Sequence, residues 1–270
     1  MKRRKLRTAL LLTALSLVVL AAALGVSTYA WFTFDPYTNV TPLEGQIADG
    51  DTNLLIAASP DGPFDKQCAL QPTDLPAELR PVSTADLSQF YAATSQDKEG
   101  YSITFRNVTG RTPEYLIHGT VYLQCVGGGC DVYFQSPPLY LGADGQVLAA
   151  GRLGLKITGG TGAVQTYLFR LDALGNTAGA ASRQTVREKD VVVGGLNGMA
   201  AAFTRDPAVP VEGYFINTGG RTPLCSLEPD EIAAVEYWVY LEGCDPECFN
   251  PVQSRDLALQ LGFAGEPREN

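Results

Sequence analysis

The sequence predicts an all-β fold: an antiparallel β-sandwich of jelly-roll type that follows a short N-terminal signal or transmembrane helix. Short apolar or alternating segments recur along the chain, and 28 glycines and 17 prolines spread between them favour turns over long helices. Strands do not alternate with helices as they would in a Rossmann fold or an α/β barrel. At 270 residues, the chain is long enough to bury one sizeable core.

Residues 1–30 have the composition of an export signal. Five basic residues precede an uncharged run, Ala9 to Val26, and the small residue Ala30 follows shortly after it. A basic start, an apolar run and a small residue at the exit are the parts of a secretory signal peptide. We expect cleavage between Ala30 and Trp31. The alternative is an uncleaved signal anchor, because a run of about 18 apolar residues reaches the lower limit for spanning a bilayer.

The exit of this segment has a distinctive pattern, in which Thr28-Tyr29-Ala30 is followed by the aromatic pair Trp31-Phe32. It resembles the Thr-aromatic-Ala exit and aromatic mature start of the TasA/camelysin family, exported proteins of Gram-positive bacteria. The opening through Val40 also resembles uncharacterised exported proteins of gut clostridia with the same signal class. The resemblance implies a SipW-type signal peptidase as partner and a location outside the cell, secreted or on the cell surface.

For the rest of the chain, the resemblance implies a non-catalytic structural protein of the cell surface or of the extracellular matrix of a biofilm. Such a protein could be a fibre-forming subunit. Assembly would proceed by β-strand addition, in which an alternating segment with Trp31, Phe32 and Phe34 pairs with a sheet edge of the next subunit. The alternative is that this segment, Trp31 to Val40, closes its own sheet.

The charge of the chain limits its partners. The net charge is −9, and residues 1–30 carry five of the 20 basic residues and none of the 29 acidic ones, so the remainder carries −14. An acidic surface of this size repels phosphate backbones. We therefore expect no nucleic-acid partner, and membrane contact only through the N-terminal segment.

Strands are predicted by alternating apolar residues between turn residues. The clearest are Tyr115 to Cys125, with Ile117, Val121 and Leu123 on one face, and Ile232 to Leu241. Thr84 to Tyr91 permits a short helix at most. The other predicted strands are Leu54–Ala57, Tyr101–Phe105, Asp131–Phe134, Leu148–Ile157, Gln165–Leu171, Val191–Val193, Tyr214–Asn217 and Leu257–Phe263.

An internal repeat marks two related parts, 105–130 and 215–248, within one predicted sandwich domain, 31–270. Phe105-x-Asn107-x-x-Gly110-Arg111-Thr112-Pro113 recurs as Phe215-x-Asn217-x-x-Gly220-Arg221-Thr222-Pro223, and Val121-Tyr122-Leu123 recurs as Val239-Tyr240-Leu241. Two cysteines follow each copy. We interpret the repeat as two equivalent corners of a pseudo-symmetric sandwich, with a pair of equivalent contact edges as the functional alternative.

Six cysteines in an exported chain indicate disulfides, with free thiols or a metal site as alternatives. The repeat favours Cys125 with Cys130 and Cys244 with Cys248 as local pairs, which leaves Cys68 with Cys225. The spacings Cys-x4-Cys and Cys-x3-Cys differ from the Cys-x2-Cys of zinc ribbons. We therefore predict no metal site.

Residues for catalysis are sparse. His118 is the only histidine and lies in a predicted strand, so the His-Glu-x-x-His motif of metalloproteases cannot occur. This counts against the protease activity that the camelysin resemblance would imply. The Gly-x-Ser-x-Gly motif of serine hydrolases is also absent. We predict no catalytic residues and no cofactor, with a hydrolase acting through paired carboxylates as the weakest alternative.

A second functional interpretation is a monomeric, surface-exposed module that binds glycans. Tyr237, Trp238 and Tyr240 lie together in the predicted strand Ile232–Leu241 and would form its ligand face. Trp238 and Tyr240 alternate with Val239 and Leu241, so one of the two faces could be exposed. The alternative is that loops bury both.

Overall fold

Turn residues and alternating apolar segments produce strands throughout the described part of the chain. The computed structural model describes residues 38–47, 53–95, 102–135, 150–160, 162–171, 192–194, 208–216, 221–245, 248 and 255–268. They belong to one compact unit, Pro36–Asn270, and form two β-sheets, with short 3-10 helices at Thr109–Glu114 and Glu212–Tyr214. The predicted all-β class is confirmed. Among these residues, no helix combines the length and apolar character needed to cross a bilayer.

The smaller sheet has six strands in the order β14-β9-β16-β1-β3, with β4 also pairing with β1. Its central pair is parallel, with Thr38 opposite Arg255 and Ile47 opposite Phe263. The strands are β1 Thr38–Ile47, β3 Gln67–Ala69, β4 Glu78–Leu79, β9 Cys130–Phe134, β14 Cys225–Leu227 and β16 Arg255–Pro267.

The larger sheet has ten strands arranged around β15, which pairs with β8 on one edge and with β10 on the other. Beyond β10 follow β11 and β13, and beyond β8 lies β2. The end of β15 also pairs with β5, and β6, β7 and β12 follow β5 in the order of the sheet. The strands are β2 Leu54–Ala57, β5 Pro81–Ser83, β6 Tyr91–Ser95, β7 Ser102–Asn107, β8 Ile117–Cys125, β10 Gly151–Thr158, β11 Val164–Arg170, β12 Val192–Gly194, β13 Val209–Pro210 and β15 Ile232–Glu242.

The main core lies between the two sheets, which makes the fold sandwich-like. Burial alternates along β8, so Val121 and Leu123 enter this core together with Val239 of β15. The six-stranded sheet contributes Phe134 and Phe263, whose rings stack 6.3 Å apart. The predicted alternation of β8 is therefore confirmed.

A second cluster covers the opposite face of the ten-stranded sheet, called the outer face here. Trp238 and Tyr240 of β15 pack there beneath residues of the 82–116 region, among them Leu87 and Phe90. Gly154 of β10 lies opposite Trp238, and a Cβ at this glycine would overlap the Leu87 side chain. The missing side chain at Gly154 thus makes room for the covering segment.

Three predictions about the strands need correction. The sheets are mixed rather than purely antiparallel, because the pairs β1–β16, β5–β15, β7–β12 and β11–β13 are parallel. The described part of the predicted strand Tyr214–Asn217, residues 214–216, is not a strand, since the N–H of Tyr214 closes a 3-10 turn on Val211 and Phe215 makes only an isolated bridge. Residues 84–90 form bends instead of a helix, with the Leu87 N–H bonded to the Thr84 hydroxyl.

The register of β8 against β15 relates the two copies of the repeat. Ile117 lies opposite Val239, and Val121 lies opposite Val235. In the repeat, Val121 of the first copy corresponds to Val239 of the second, and Ile117 corresponds to Val235. This correspondence converts each of the two facing pairs into the other. The antiparallel pair therefore has a local two-fold axis, which passes between Gly119 and its partner Tyr237.

Candidate functional site

The three aromatic residues of the predicted ligand face are buried. Tyr237 is 0% exposed, Trp238 7% and Tyr240 1%. Tyr237 points into the main core, while Trp238 and Tyr240 point into the outer-face cluster. The prediction of an exposed aromatic platform is wrong in this structure, because both faces of β15 are covered.

A group of partly exposed polar side chains lies beside Trp238 on the outer face, and we call it the His118 patch. The His118 ring stacks on Trp238 with ring centroids 4.7 Å apart. Its Nδ1 is 3.7 Å from the Asp74 carboxylate, and its Nε2 is 3.8 Å from Glu236. Lys156 completes the patch at 3.4 Å from Glu236. The patch consists of His118, Asp74, Glu236, Lys156 and Trp238.

Backbone pairing brings the members of the His118 patch together. His118 lies opposite Trp238 in the β8–β15 ladder, and Glu236 lies opposite Lys156 in the β15–β10 ladder. Asp74 comes from a loop whose backbone exchanges two hydrogen bonds with His118. The patch therefore combines the Lys156 ammonium with two carboxylates around a histidine ring.

A buried ionic cluster lies where β10 begins and β15 ends. The Arg152 side chain is fully buried, and its Nη2 donates to the Asp245 carboxylate at 2.7 Å. The neighbouring Glu242 carboxylate accepts hydrogen bonds from the Ser83 hydroxyl and from the Cys244 N–H, the latter at 3.0 Å. Buried charges persist in proteins when they are paired and hydrogen-bonded. We therefore assign this cluster the role of joining β5, β10 and the end of β15.

Only part of the two polar clusters could be anticipated from the sequence. Period-two alternation places Glu236 on the same face of β15 as Trp238, and Arg152 stands out as a charge within an apolar strand. Asp74 and Asp245 lie in loops, where acidic residues are common. The sequence alone therefore does not mark them as members of a cluster. Long-range pairing alone brings them to His118 and Arg152.

One of the predicted cysteine pairs is present as a disulfide. Cys125 at the end of β8 is bonded to Cys130 at the start of β9, with Cα atoms 6.3 Å apart. The chain passes here from the ten-stranded to the six-stranded sheet. The disulfide thus closes a corner of the sandwich, as the repeat predicted.

The predicted pair Cys68–Cys225 is wrong, because its two members lie on opposite edges of the six-stranded sheet. Cys225 is on β14 and Cys68 on β3, with three strands between them. At about 4.8 Å per strand, the separation is roughly 15–20 Å. A disulfide needs Cα atoms within about 7 Å of each other.

Cys244 and Cys248 are also thiols in this structure, contrary to the predicted bridge. The sulfur of Cys244 lies 3.7 Å from the Ser83 hydroxyl oxygen, and the N–H of Cys248 closes a turn on Asp245. Burial is the main cause that raises the pKa of Cys248, and the Asp245 and Glu242 carboxylates add to it. Burial also raises the pKa of Cys68, and that of Cys225 to about 12. The thiols of Cys68, Cys225 and Cys248 are therefore protonated at neutral pH.

The predicted cleavage point, Ala30 and Trp31, and the aromatic residues Phe32 and Phe34 lie outside the described residues. The end of the predicted assembly segment does not: Thr38 to Val40 begin β1 and pair with Arg255 to Leu257 of β16. On the other side, Thr38 pairs with Leu79. Residues 38–40 therefore close their own sheet, which was the alternative for this part of the segment.

Within the described ranges, no three or more histidine, cysteine, aspartate or glutamate side chains are grouped so that they could hold a metal ion. No family model, no curated protein and no solved structure matches this chain.

Proposed function

We propose that this protein is an exported, non-catalytic structural subunit of the cell surface or extracellular matrix, whose copies associate by β-strand addition. In this proposal, residues 1–30 form a signal helix that a SipW-type peptidase removes after Ala30. The strands from β1 onward form a jelly-roll sandwich. The resemblance of residues 28–40 to the TasA/camelysin family supports export, and the Cys125–Cys130 disulfide suits an oxidising environment outside the cytoplasm.

The position of β1 is the observation that carries the assembly proposal. β1 begins at Thr38 and is held on one side by β16 and on the other by β3 and β4. Cleavage after Ala30 would leave a seven-residue arm, 31–37, attached to a strand inside the sheet. An extended arm of this length reaches about 23 Å, enough to pair with a neighbouring sheet edge.

The aromatic residues of the arm make it suitable as a donor strand. Trp31, Phe32 and Phe34 combine high β-propensity with large apolar area, whereas Asp35 and Pro36 interrupt pairing near β1. The pairing part of the arm is therefore 31–34, and 35–37 act as a link. Because the rings of Tyr237, Trp238 and Tyr240 are buried, the glycan-binding interpretation has no comparable observation in its favour.

The test is N-terminal sequencing, electron microscopy and size measurement on the protein that its native host exports. A start at Trp31 together with filaments is the expected result. Monomers that start at Trp31 would contradict the assembly proposal, and an intact Met1 in the membrane fraction would contradict the cleavage.

A matched variant tests the arm itself. Replacing residues 31–37 by seven Gly and Ser residues keeps the length of the link but removes the aromatic side chains and the β-propensity. We expect this variant to be folded but to form no filaments, and N-terminal sequencing must show that it still starts at residue 31, because the change includes the Trp31-Phe32 part of the signal exit. Filaments as abundant as those of the wild type would contradict strand addition by the arm.

A further inference from the structure

Among the described residues, the outer edge of β11 has a neighbouring strand over only a small part of its length. One edge of β11 pairs with β10 from Val164 to Arg170. On the other edge, β13 pairs only with Phe169 and Arg170. From Val164 to Leu168, no strand of the described part of the chain lies along this outer edge.

The hydrogen bonds with β10 determine which backbone groups point outward. The carbonyl oxygen of Ala163 accepts from the Gly159 N–H at 3.2 Å, and the Leu171 N–H donates to Gly151 at 3.2 Å. In an antiparallel ladder, every second residue bonds to the same neighbour. Odd-numbered residues therefore face β10, and Val164 and Thr166 direct their N–H and C=O groups away from the sheet.

The edge lacks the features that protect edge strands from pairing. Natural edges carry lysine, proline, a bulge or an inward-pointing charge, or they are very short. The segment 162–168 has no charged residue and no proline, and Val164, Thr166 and Tyr167 favour β-structure. Val164 is 53% exposed although it is apolar. The short edge strands β3 and β14 span only three residues each.

We infer that this edge is the interface between two copies of the chain, which pair antiparallel through their β11 strands and join their ten-stranded sheets. The edge is complementary to itself, because Val164 and Thr166 of one copy meet the same residues of the other and can form about four backbone hydrogen bonds. Charge does not oppose this pairing at the edge itself: residues 31–270 carry a net charge of −14, but the segment 162–168 has no charged residue, so no like charges lie directly opposite each other in the paired strands.

The inference goes beyond the proposed function and does not depend on it. Pairing through β11 requires neither signal cleavage nor the arm at 31–37. The Gly/Ser arm variant tests for loss of filaments, and an edge variant tests for loss of dimers. Each result can be obtained without the other.

The test is sedimentation analysis of the exported protein over a range of concentrations. Thr166→Pro removes an outward N–H without removing a bond to β10, and Val164→Lys places a charge on the edge. Leu75→Lys is the matched control, because Leu75 is an equally exposed apolar residue (57%) away from β11. Circular dichroism and urea unfolding establish that each variant is folded.

We expect the wild type and the Leu75→Lys control to dimerise with the same dissociation constant, and each edge variant to raise that constant at least tenfold. Wild-type protein that stays monomeric at every concentration would overturn the inference. Edge variants that dimerise like the wild type would overturn it as well. If only the Gly/Ser arm variant loses association, the arm of another copy is the occupant, and homotypic pairing is wrong.

Discussion

At the residue scale, Arg152 illustrates how a single buried charge depends on its partners. Its guanidinium is fully buried and bonds to Asp245, with Glu242 and Ser83 close by. We expect Arg152→Met to destabilise the fold by about 3–5 kcal/mol, because it leaves buried carboxylates without their cation. Urea unfolding measures this change in the free energy of unfolding.

The control for Arg152 is an exposed ion pair of the same chemistry. Arg111 pairs with Glu114 in the 3-10 helix, where both side chains are about half exposed. We expect Arg111→Met to leave stability unchanged within error, since water replaces the lost contact. Equal losses for the two variants would contradict the structural role assigned to the buried cluster.

Gly119 and Tyr237 form a second residue-scale test, at the local two-fold axis. A Cβ at Gly119 would overlap the Tyr237 hydroxyl group and come within 3.0 Å of the Pro72 Cα. We expect Gly119→Ala to cost about 1–3 kcal/mol, as overpacking in a core does. Gly110→Ala is the control, because a Cβ there meets no atom within 4 Å.

Removing the Tyr237 hydroxyl tests whether the loss of stability in Gly119→Ala comes from steric overlap with this hydroxyl or from the backbone. This hydroxyl is buried and has no hydrogen-bond partner within the described part of the chain. We expect Tyr237→Phe to be neutral or stabilising on its own and to recover part of the loss in Gly119→Ala. A double variant whose loss is the sum of the two single changes would show that the hydroxyl is not the obstacle.

At the element scale, the corner between β8 and β9 is closed by Cys125–Cys130. We expect the double change Cys125→Ala, Cys130→Ala to lower the free energy of unfolding by about 2 kcal/mol, because a short loop constrains the unfolded chain only modestly. Peptide mapping of the exported protein should find this disulfide, with the other four cysteines alkylated after unfolding. A Cys244–Cys248 bridge in that map would contradict the thiols assigned here.

The strands β8 and β15 show what a period-two pattern of apolar residues can predict. β8 and β15 were predicted within about two residues, because period-two burial is visible in the sequence when one face enters a core. Whether β15 exposes its other face could not be predicted. Trp238 and Tyr240 are covered by residues of the 82–116 region, distant in sequence and without a pattern that assigns them to this face.

The repeat was informative for the long strands and misleading at its first residue, Phe105 in one copy and Phe215 in the other. Val121-Tyr122-Leu123 and Val239-Tyr240-Leu241 occupy related positions in adjacent strands. Phe105 lies within β7, whereas Phe215 follows a 3-10 helix and contacts Phe134 with ring centroids 6.4 Å apart. Similar local sequence thus adopts two backbone conformations, because the neighbouring strands differ.

At the scale of the whole molecule, buried acidic groups predict a loss of stability in alkali. Burial raises the pKa of Cys225 from 9.0 to about 12 and that of Tyr167 from 10.0 to about 12. A pKa that is higher in the folded state than in the unfolded one favours folding below the unfolded value. That contribution is lost as the pH rises from about 9 to 12.

Urea unfolding at pH 8, 9, 10 and 10.5 measures this loss. We expect the free energy of unfolding to decrease above pH 9, and to decrease less steeply in Cys225→Ala, which removes one of the buried groups with a raised pKa. The comparison concerns the slopes with pH, since the substitution also removes buried sulfur. Parallel curves would contradict the assignment to Cys225.

The sequence by itself determined the all-β class, most strand positions and the closed corner at Cys125–Cys130, because these depend on alternation, turn residues and a local repeat. Only the tertiary structure decided that β1 lies parallel to β16, that Cys68 and Cys225 lie on opposite sheet edges, and that β15 is buried on both faces. It also decided which edge of the ten-stranded sheet has no neighbouring strand among the described residues. These features depend on contacts between segments far apart in the chain. The local sequence of a segment does not specify which distant segment will pack against it.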